Sequence, residues 1–369
     1  MTTFTRSLKP AVIARLLVAI LLAAGVRPAI AEPAKGETPK EVRIATVAYA
    51  IGGKVGFNGA AGVIEQNGWL RPELAKRNVR LVWVPVSAQS VGATVNEAFA
   101  NRSIDFAAYG DLPSIILNAG GIQTRVVVPG GRGNNVYLVV PRDSTARTLA
   151  DLKGKRIALH RGRPWEITFA RLVAEQGLRL SDFRIANLNP GAGAAALAAG
   201  DVDGFVTLSD AFQLVDRKVG KVIWSTKNSG QDWKMRAELW GDKAFIDSNP
   251  ELTQIVANAF VKAAHWSSQP ANFEAYLQIA VRSGQPENAL RQEYTDDSVS
   301  WKERWSPLPA AFVVDHYRHA IAYSREARLI RSDLDAASLF DTRFVTTALK
   351  ELRLDGYWSA PPAVTAKAD

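Results

Sequence analysis

From residue 42 onward, short apolar runs alternate with amphipathic stretches, the pattern of sheets covered by helices on both faces. Residues 42–48 read as a strand and 55–66 as a helix that ends near Asn67-Gly68. Residues 79–84 are a strand, and 91–100 a helix whose apolar positions Val91, Val95, Ala98 and Phe99 share one face. The strand over 104–108 runs into Tyr109-Gly110-Asp111-Leu112-Pro113. Gly110 breaks the strand there, Asp111 caps a helix over 112–119, and Pro113 falls in its first turn. Gly120-Gly121 stops that helix, and 122–128 is the next strand.

Pro129-Gly130-Gly131-Arg132-Gly133-Asn134-Asn135 is glycine-rich and separates two strongly apolar segments, so a first crossing between two lobes belongs here. The plan then repeats. Strands are expected at 136–140, 156–159, 183–188 and 204–207, and helices at 164–175, 194–199 and 211–218. Residues 221–225 are the strand that leads back to the first lobe. Beyond it the pattern is mainly helical: 250–266, 270–283, 287–293, 308–324 and a last segment towards Leu354. The division expected is lobe I over 41–130 and 226–345, lobe II over 131–225, and a C-terminal tail over 346–369. A weak internal repeat agrees with two lobes. Ala100-Asn101-Arg102-Ser103-Ile104-Asp105-Phe106 leads to Gly110-Asp111, as Ala199-Gly200-Asp201-Val202-Asp203-Gly204-Phe205 leads to Ser209-Asp210-Ala211.

The first 31 residues stand apart. Arg6, Lys9 and Arg15 precede an apolar core over 16–26, and Ala29-Ile30-Ala31 supplies a small-x-small cleavage signal, which together describe a secretory signal peptide. Residues 32–40 read as a flexible polar leader. The whole chain carries a net charge of +9, with 45 basic and 36 acidic side chains. The signal contains Arg6, Lys9, Arg15 and Arg27 and no acid, so residues 32–369 carry 41 basic against 36 acidic side chains, a net of +5. Without a basic block or aromatic-basic stripe, this argues against nucleic acid and favours a small anionic ligand. The chain has no cysteine, which removes thiol nucleophiles and Cys-type metal sites, and an exported chain of this length needs no disulfide staples. The histidines, His160, His265, His316 and His319, form no HExxH, so neither a metal nor another cofactor is expected.

Candidate chemistry therefore rests on helix starts at strand ends, where α/β sheets bind ligands. At Gly110-Asp111-Leu112, backbone N–H groups of the following helix are expected to face a cleft. At Gly162-Arg163-Pro164-Trp165, a glycine turn and an arginine precede a proline-started helix, and a guanidinium there can fork onto an oxyanion. Asp210 holds the equivalent place in the repeat. Gly53 and Lys54, in a glycine turn that fits neither a Walker A loop nor GxGxxG, are weaker candidates, as are Arg132 in the crossing and Trp233 after it. No GxSxG elbow or paired carboxylates stand out, so the chain reads as one that grips a small molecule rather than transforms it.

The ordered set 104–113 (Ile-Asp-Phe-Ala-Ala-Tyr-Gly-Asp-Leu-Pro), 149–162 (Leu-Ala-Asp-Leu-Lys-Gly-Lys-Arg-Ile-Ala-Leu-His-Arg-Gly) and 199–205 resembles the solute-binding proteins of ABC importers for aliphatic sulfonates, taurine and nitrate. Val84-Pro85-Val86-Ser87-Ala88-Gln89 lies where that family has the loop before its second helix. The resemblance covers roughly residues 42–345. It implies a type II periplasmic-binding fold: two α/β lobes joined by two hinge crossings, closing on a ligand. It further implies a periplasmic, monomeric protein that delivers its ligand to an ABC permease. By the resemblance, Gly110-Asp111-Leu112 and Gly162-Arg163-Pro164-Trp165 contact the ligand from opposite lobes, and Leu208-Ser209-Asp210-Ala211 lines the cleft. The chain departs from the family where hydroxyl residues usually follow Gly162, and where Trp-Asp-Pro-Phe/Tyr is replaced by Ser209-Asp210-Ala211-Phe212. Relatives on this fold include a cysteine-dependent sulfinate-cleaving enzyme and an iron- and histidine-dependent pyrimidine-forming enzyme, so an enzyme is the alternative.

Overall fold

A computed structural model describes residues 38–51, 53–230 and 233–359. The expected signal peptide, most of the leader and the last ten residues lie outside them. The strands sort into two sheets. The first is built from β1 (Glu41–Ile51), β2 (Lys54–Phe57), β3 (Arg80–Val86), β4 (Phe106–Gly110), β5 (Thr124–Val128) and, from far along the chain, β11 (Ala237–Asp242). Its order is β2-β1-β4-β11-β5, with β3 also paired to β1. The second contains β6 (Tyr137–Pro141), β7 (Arg156–Ala158), β8 (Arg184–Ala186), β9 (Gly204–Thr207) and β10 (Gly220–Ser225), in the order β10-β6-β9-β7-β8.

Around the first sheet run α1 (Gly59–Asn67), α2 (Arg71–Ala75), α3 (Val91–Ala100) and α4 (Asp111–Ala119). Around the second run α5 (Pro164–Glu175), α6 (Pro190–Ala199) and α7 (Ala211–Asp216). The rest is helical: α8 (Lys243–Ser248), α9 (Pro250–Ser268), α10 (Phe273–Arg282), α11 (Glu287–Tyr294), α12 (Trp301–Arg304), α13 (Ala311–Glu326) and α14 (Arg343–Glu351). Each sheet is buried on both faces, which is why its parallel strands read as continuous apolar runs. Val42 and Ile44 of β1 join one core with α9 and α14, and Ala45 of the same strand joins another with α3, α4 and α13. Leu138 and Tyr137 of β6 divide in the same way between two cores of the second sheet.

Three expectations are corrected. Residues 54–57 are not the start of a helix: Val55-Gly56 pairs with Ala50-Tyr49 in a hairpin, and the helix begins only at Gly59. Residues 237–242, expected to carry no strand, form β11, antiparallel to both β4 and β5 in the middle of the first sheet. Asp111 is not the cap of α4; Gly110 occupies that position, in extended conformation, and Asp111 is the first helical residue.

The chain leaves the first sheet after β5 and returns to it at β11. The two connecting segments touch, with Asn134 and Met235 exchanging backbone hydrogen bonds of 2.9 and 3.1 Å. A buried ionic network pins them to the helical segment. Asn135 Nδ2 donates to Glu293 Oε1 (2.8 Å) and Asp297 Oδ2 (2.6 Å), Lys234 Nζ lies 3.2 Å from Asp297, and Arg304 Nη2 donates to Asp297 Oδ2 (2.6 Å). Beyond the expected lobe boundary at 345, α14 packs on α9 and Trp358 lies in the core of the first sheet.

Candidate functional site

Between the sheets lies a cleft of about 420 Å3. Its walls come from the ends of β1 and β4, the loop after β3, the start of α5, and the β9–α7 turn. Strand ends and helix starts converge here because each α/β unit puts its connecting turn at the carboxyl edge of its sheet.

The α5 start carries the electrostatics. Arg163, in extended conformation ahead of Pro164, turns its side chain into the cleft. Its Nη2 donates to the Ala88 carbonyl (3.3 Å) and its guanidinium lies 5.0 Å from the Trp165 ring. Among the described residues no carboxylate pairs with it, and Nε is buried without an acceptor. Burial pulls its pKa down to about 10. Trp165 lines the same cleft, and its Nε1 is also buried without an acceptor. A buried polar group left unpaired is costly, so such donors signal something that accepts from them. The β9–α7 turn brings Asp210 to the same cleft, its carboxyl pushed up by burial.

The α4 start is different. Asp111 is fully buried and spends its carboxylate inside the first sheet's half of the molecule. Oδ1 accepts from the Leu112 N–H (2.6 Å), and Oδ2 from the Arg236 N–H (3.2 Å) while lying 2.7 Å from His316 Nε2. Leu112 is fully buried, so the expected ring of backbone donors is closed off by the aspartate beside it. Gly110 alone of that trio lines the cleft. A β-carbon there would sit 2.3 Å from Pro164 Cγ, so its glycine is required by the approach of the α5 start.

Of the sequence candidates, Gly110, Arg163, Pro164, Trp165 and Asp210 are brought together around the cleft. The others are not. Gly162, at positive φ, gives its N–H to Glu166 Oε2 (2.5 Å). Arg132 is 2% exposed and bound to Glu303 (3.0 Å) and the Ser359 carbonyl (2.8 Å). Trp233 stacks under Arg171 (4.2 Å) and beside Trp224. Gly53 lies in the exposed β1–β2 turn, and the Lys54 side chain lies outside what is described. Sequence reasoning passed over Tyr49 and Ala88, although Ala88 stands inside a segment that carries the family resemblance; Ser209, which the resemblance placed along the cleft, lines it. It gave no sign of the aromatic wall from α10–α12, because those rings sit on segments with ordinary helix periodicity.

Residues 79–281 match the model of the NMT1-like family. The Escherichia coli (strain K12) taurine-binding periplasmic protein is 29% identical over 206 residues, 53% of this chain and 62% of that protein, so the chain spans under two thirds of that relative's length. A solved Methylobacillus flagellatus KT chain, assigned by its name to the periplasmic sulfonate-binding component of a sulfonate ABC transporter, is 47% identical. Its match covers 87% of this chain and 97% of that one, with a TM-score of 0.80. The desulfurization enzyme DSZB, at 15% identity and a TM-score of 0.64 over 85% of this chain and all of its own, shares the fold alone. With the family model matched over more than half of its length, and with this fold of paired sheets about a cleft, the chain belongs to the NMT1-like family as a periplasmic-binding-type protein.

Proposed function

We propose that the chain is the substrate-binding component of an ABC importer, a monomer working in the periplasm that captures a small anion of the sulfonate class and passes it to the membrane permease. The observation that supports this best is Arg163: a guanidinium desolvated in the cleft, with no carboxylate partner among the described residues and with an unmatched Nε–H. Such a group is satisfied by an oxyanion, and a sulfonate offers several acceptor oxygens. Gly110, Asp210 and Trp165 belong to the same proposed site; Gly53, Asp111, Leu112, Arg132, Gly162 and Trp233 are left out of direct contact. Binding favours closure only through contacts made in the closed form. The similarity to sulfonate- and taurine-binding proteins supports the ligand class. A cysteine-dependent enzyme on this fold would lack its nucleophile here, since the chain has no cysteine.

The test is a melting-temperature and calorimetric screen of the purified protein against sulfonates, taurine, nitrate, carboxylates and sulfate. Sulfonates should raise the melting temperature, and Arg163→Ala should abolish the rise. A rise of equal size in the Arg163→Ala protein would overturn the assignment.

A further inference from the structure

The cleft has two chemically different ends, and only one of them suits an anion. Arg163, the Trp165 indole N–H, Ser209 and Asp210 gather at the α5 and α7 starts. A second wall, which adjoins α7 through α11, is made by helices α1 and α9–α11 and the residue after α12, and presents Ala60, Phe260, Ala264, Leu290, Tyr294 and Trp305. Tyr276 holds these rings in register, its ring centroid 4.6 Å from Trp305 and 6.1 Å from Tyr294. The charges that reach this wall are already engaged. Glu293 accepts from Tyr137 Oη (2.5 Å) and Asn135 (2.8 Å), and Arg304 donates to Asp297 (2.6 Å). Among the described residues no charge at this end is left for a polar tail, and the Trp305 indole N–H is a polar group there that lacks an acceptor.

Volume points the same way. The cleft measures about 420 Å3, whereas an apolar cavity of roughly 150 Å3 accommodates benzene. A sulfonate bearing one or two carbons would leave most of the apolar wall in contact with water, at the usual hydrophobic cost. We infer that the natural ligand carries its anionic head on a bulky, ring-bearing apolar tail, the tail lying against the Tyr276–Tyr294–Trp305 wall. This rests on the anion-receptor function proposed above and narrows it to aryl or similarly bulky sulfonates.

Calorimetric titration with methanesulfonate, hexanesulfonate and naphthalene-2-sulfonate tests it, using the full-length protein and the variants Ala264→Phe and Ala60→Leu, which fill the apolar end from two different helices. Affinity should rise from methanesulfonate to naphthalene-2-sulfonate by on the order of tenfold or more. Either variant that remains folded by circular dichroism should lose that gain and keep its methanesulfonate affinity. Equal affinity for all three sulfonates, or a naphthalene-2-sulfonate affinity unchanged in both variants, overturns the inference while leaving the anion-receptor function standing. Failure of every sulfonate to bind the folded protein overturns that function, and the inference with it.

Discussion

The hydroxyl of Tyr323 on α13 donates to Glu166 Oε1 on α5 over 2.8 Å, so a helix packed on the first sheet is bonded to one packed on the second. Glu166 is fully buried and also accepts from the Gly162 N–H and pairs with Arg161 Nε (2.6 Å). The bond therefore joins α13 to the very turn that presents Arg163. Tyr323→Phe removes one buried hydrogen bond, worth about 1 kcal/mol, and leaves Glu166 its other partners. Ligand affinity should fall severalfold in titration calorimetry, with the melting temperature of the ligand-free protein little changed.

Gly110→Ala addresses closure sterically. The backbone at Gly110 suits any residue, but the added methyl meets Pro164 Cγ. Overpacking of this kind costs about 1–3 kcal/mol, charged mainly to the closed form. The expected result is weaker binding and a loss of ligand-induced compaction in small-angle scattering.

Much of this architecture is legible in the chain. The helix over 91–100 and the strand over 204–207 are found as their apolar spacing predicts, and the proline-started helix at 164 runs over Pro164–Glu175. The strand β11 escaped because its alternation is broken by charge: Arg236 and Glu238 are both buried and paired at 2.6 Å, so residues that look solvated belong to the core. The hairpin at 54–57 escaped because four residues carry too little pattern to compete with the helix behind them. At the site, Arg163 was legible from its place between a glycine turn and a proline. The role of Asp111 was not, since its partners Arg236 and His316 lie more than a hundred residues away.

Asp210 makes anion binding pH-dependent. Burial raises its pKa, so the carboxyl takes up its proton at a higher pH than an exposed aspartate. Above that pH its negative charge opposes an anion in the shared cleft; as pH falls through it, the charge disappears and affinity rises. Asp210→Asn should bind a sulfonate more tightly at neutral pH and show a flat profile below it. Titrations from pH 7 down through the ordinary aspartate value of about 3.9 compare the two.

The network at the crossings carries stability. Lys234 and Asp297 side chains are 1% and 2% exposed. Breaking a buried pair costs about 3–5 kcal/mol, and Arg304, which still reaches Asp297, holds the loss to the lower part of that range. Lys234→Met should therefore lower the urea midpoint clearly without altering the denaturant slope.

The position of β11 has a consequence for how this polypeptide is made. Its partners β4 and β5 lie over a hundred residues upstream, and an entire second sheet is threaded between them. The half that begins first thus finishes last: until residue 242 has left the ribosome, β4 and β5 have an empty slot where their shared neighbour belongs. Contacts this distant in sequence form slowly. A nascent chain kept incomplete in this way stays loose for much of its synthesis, a useful property for the export that the proposed function requires.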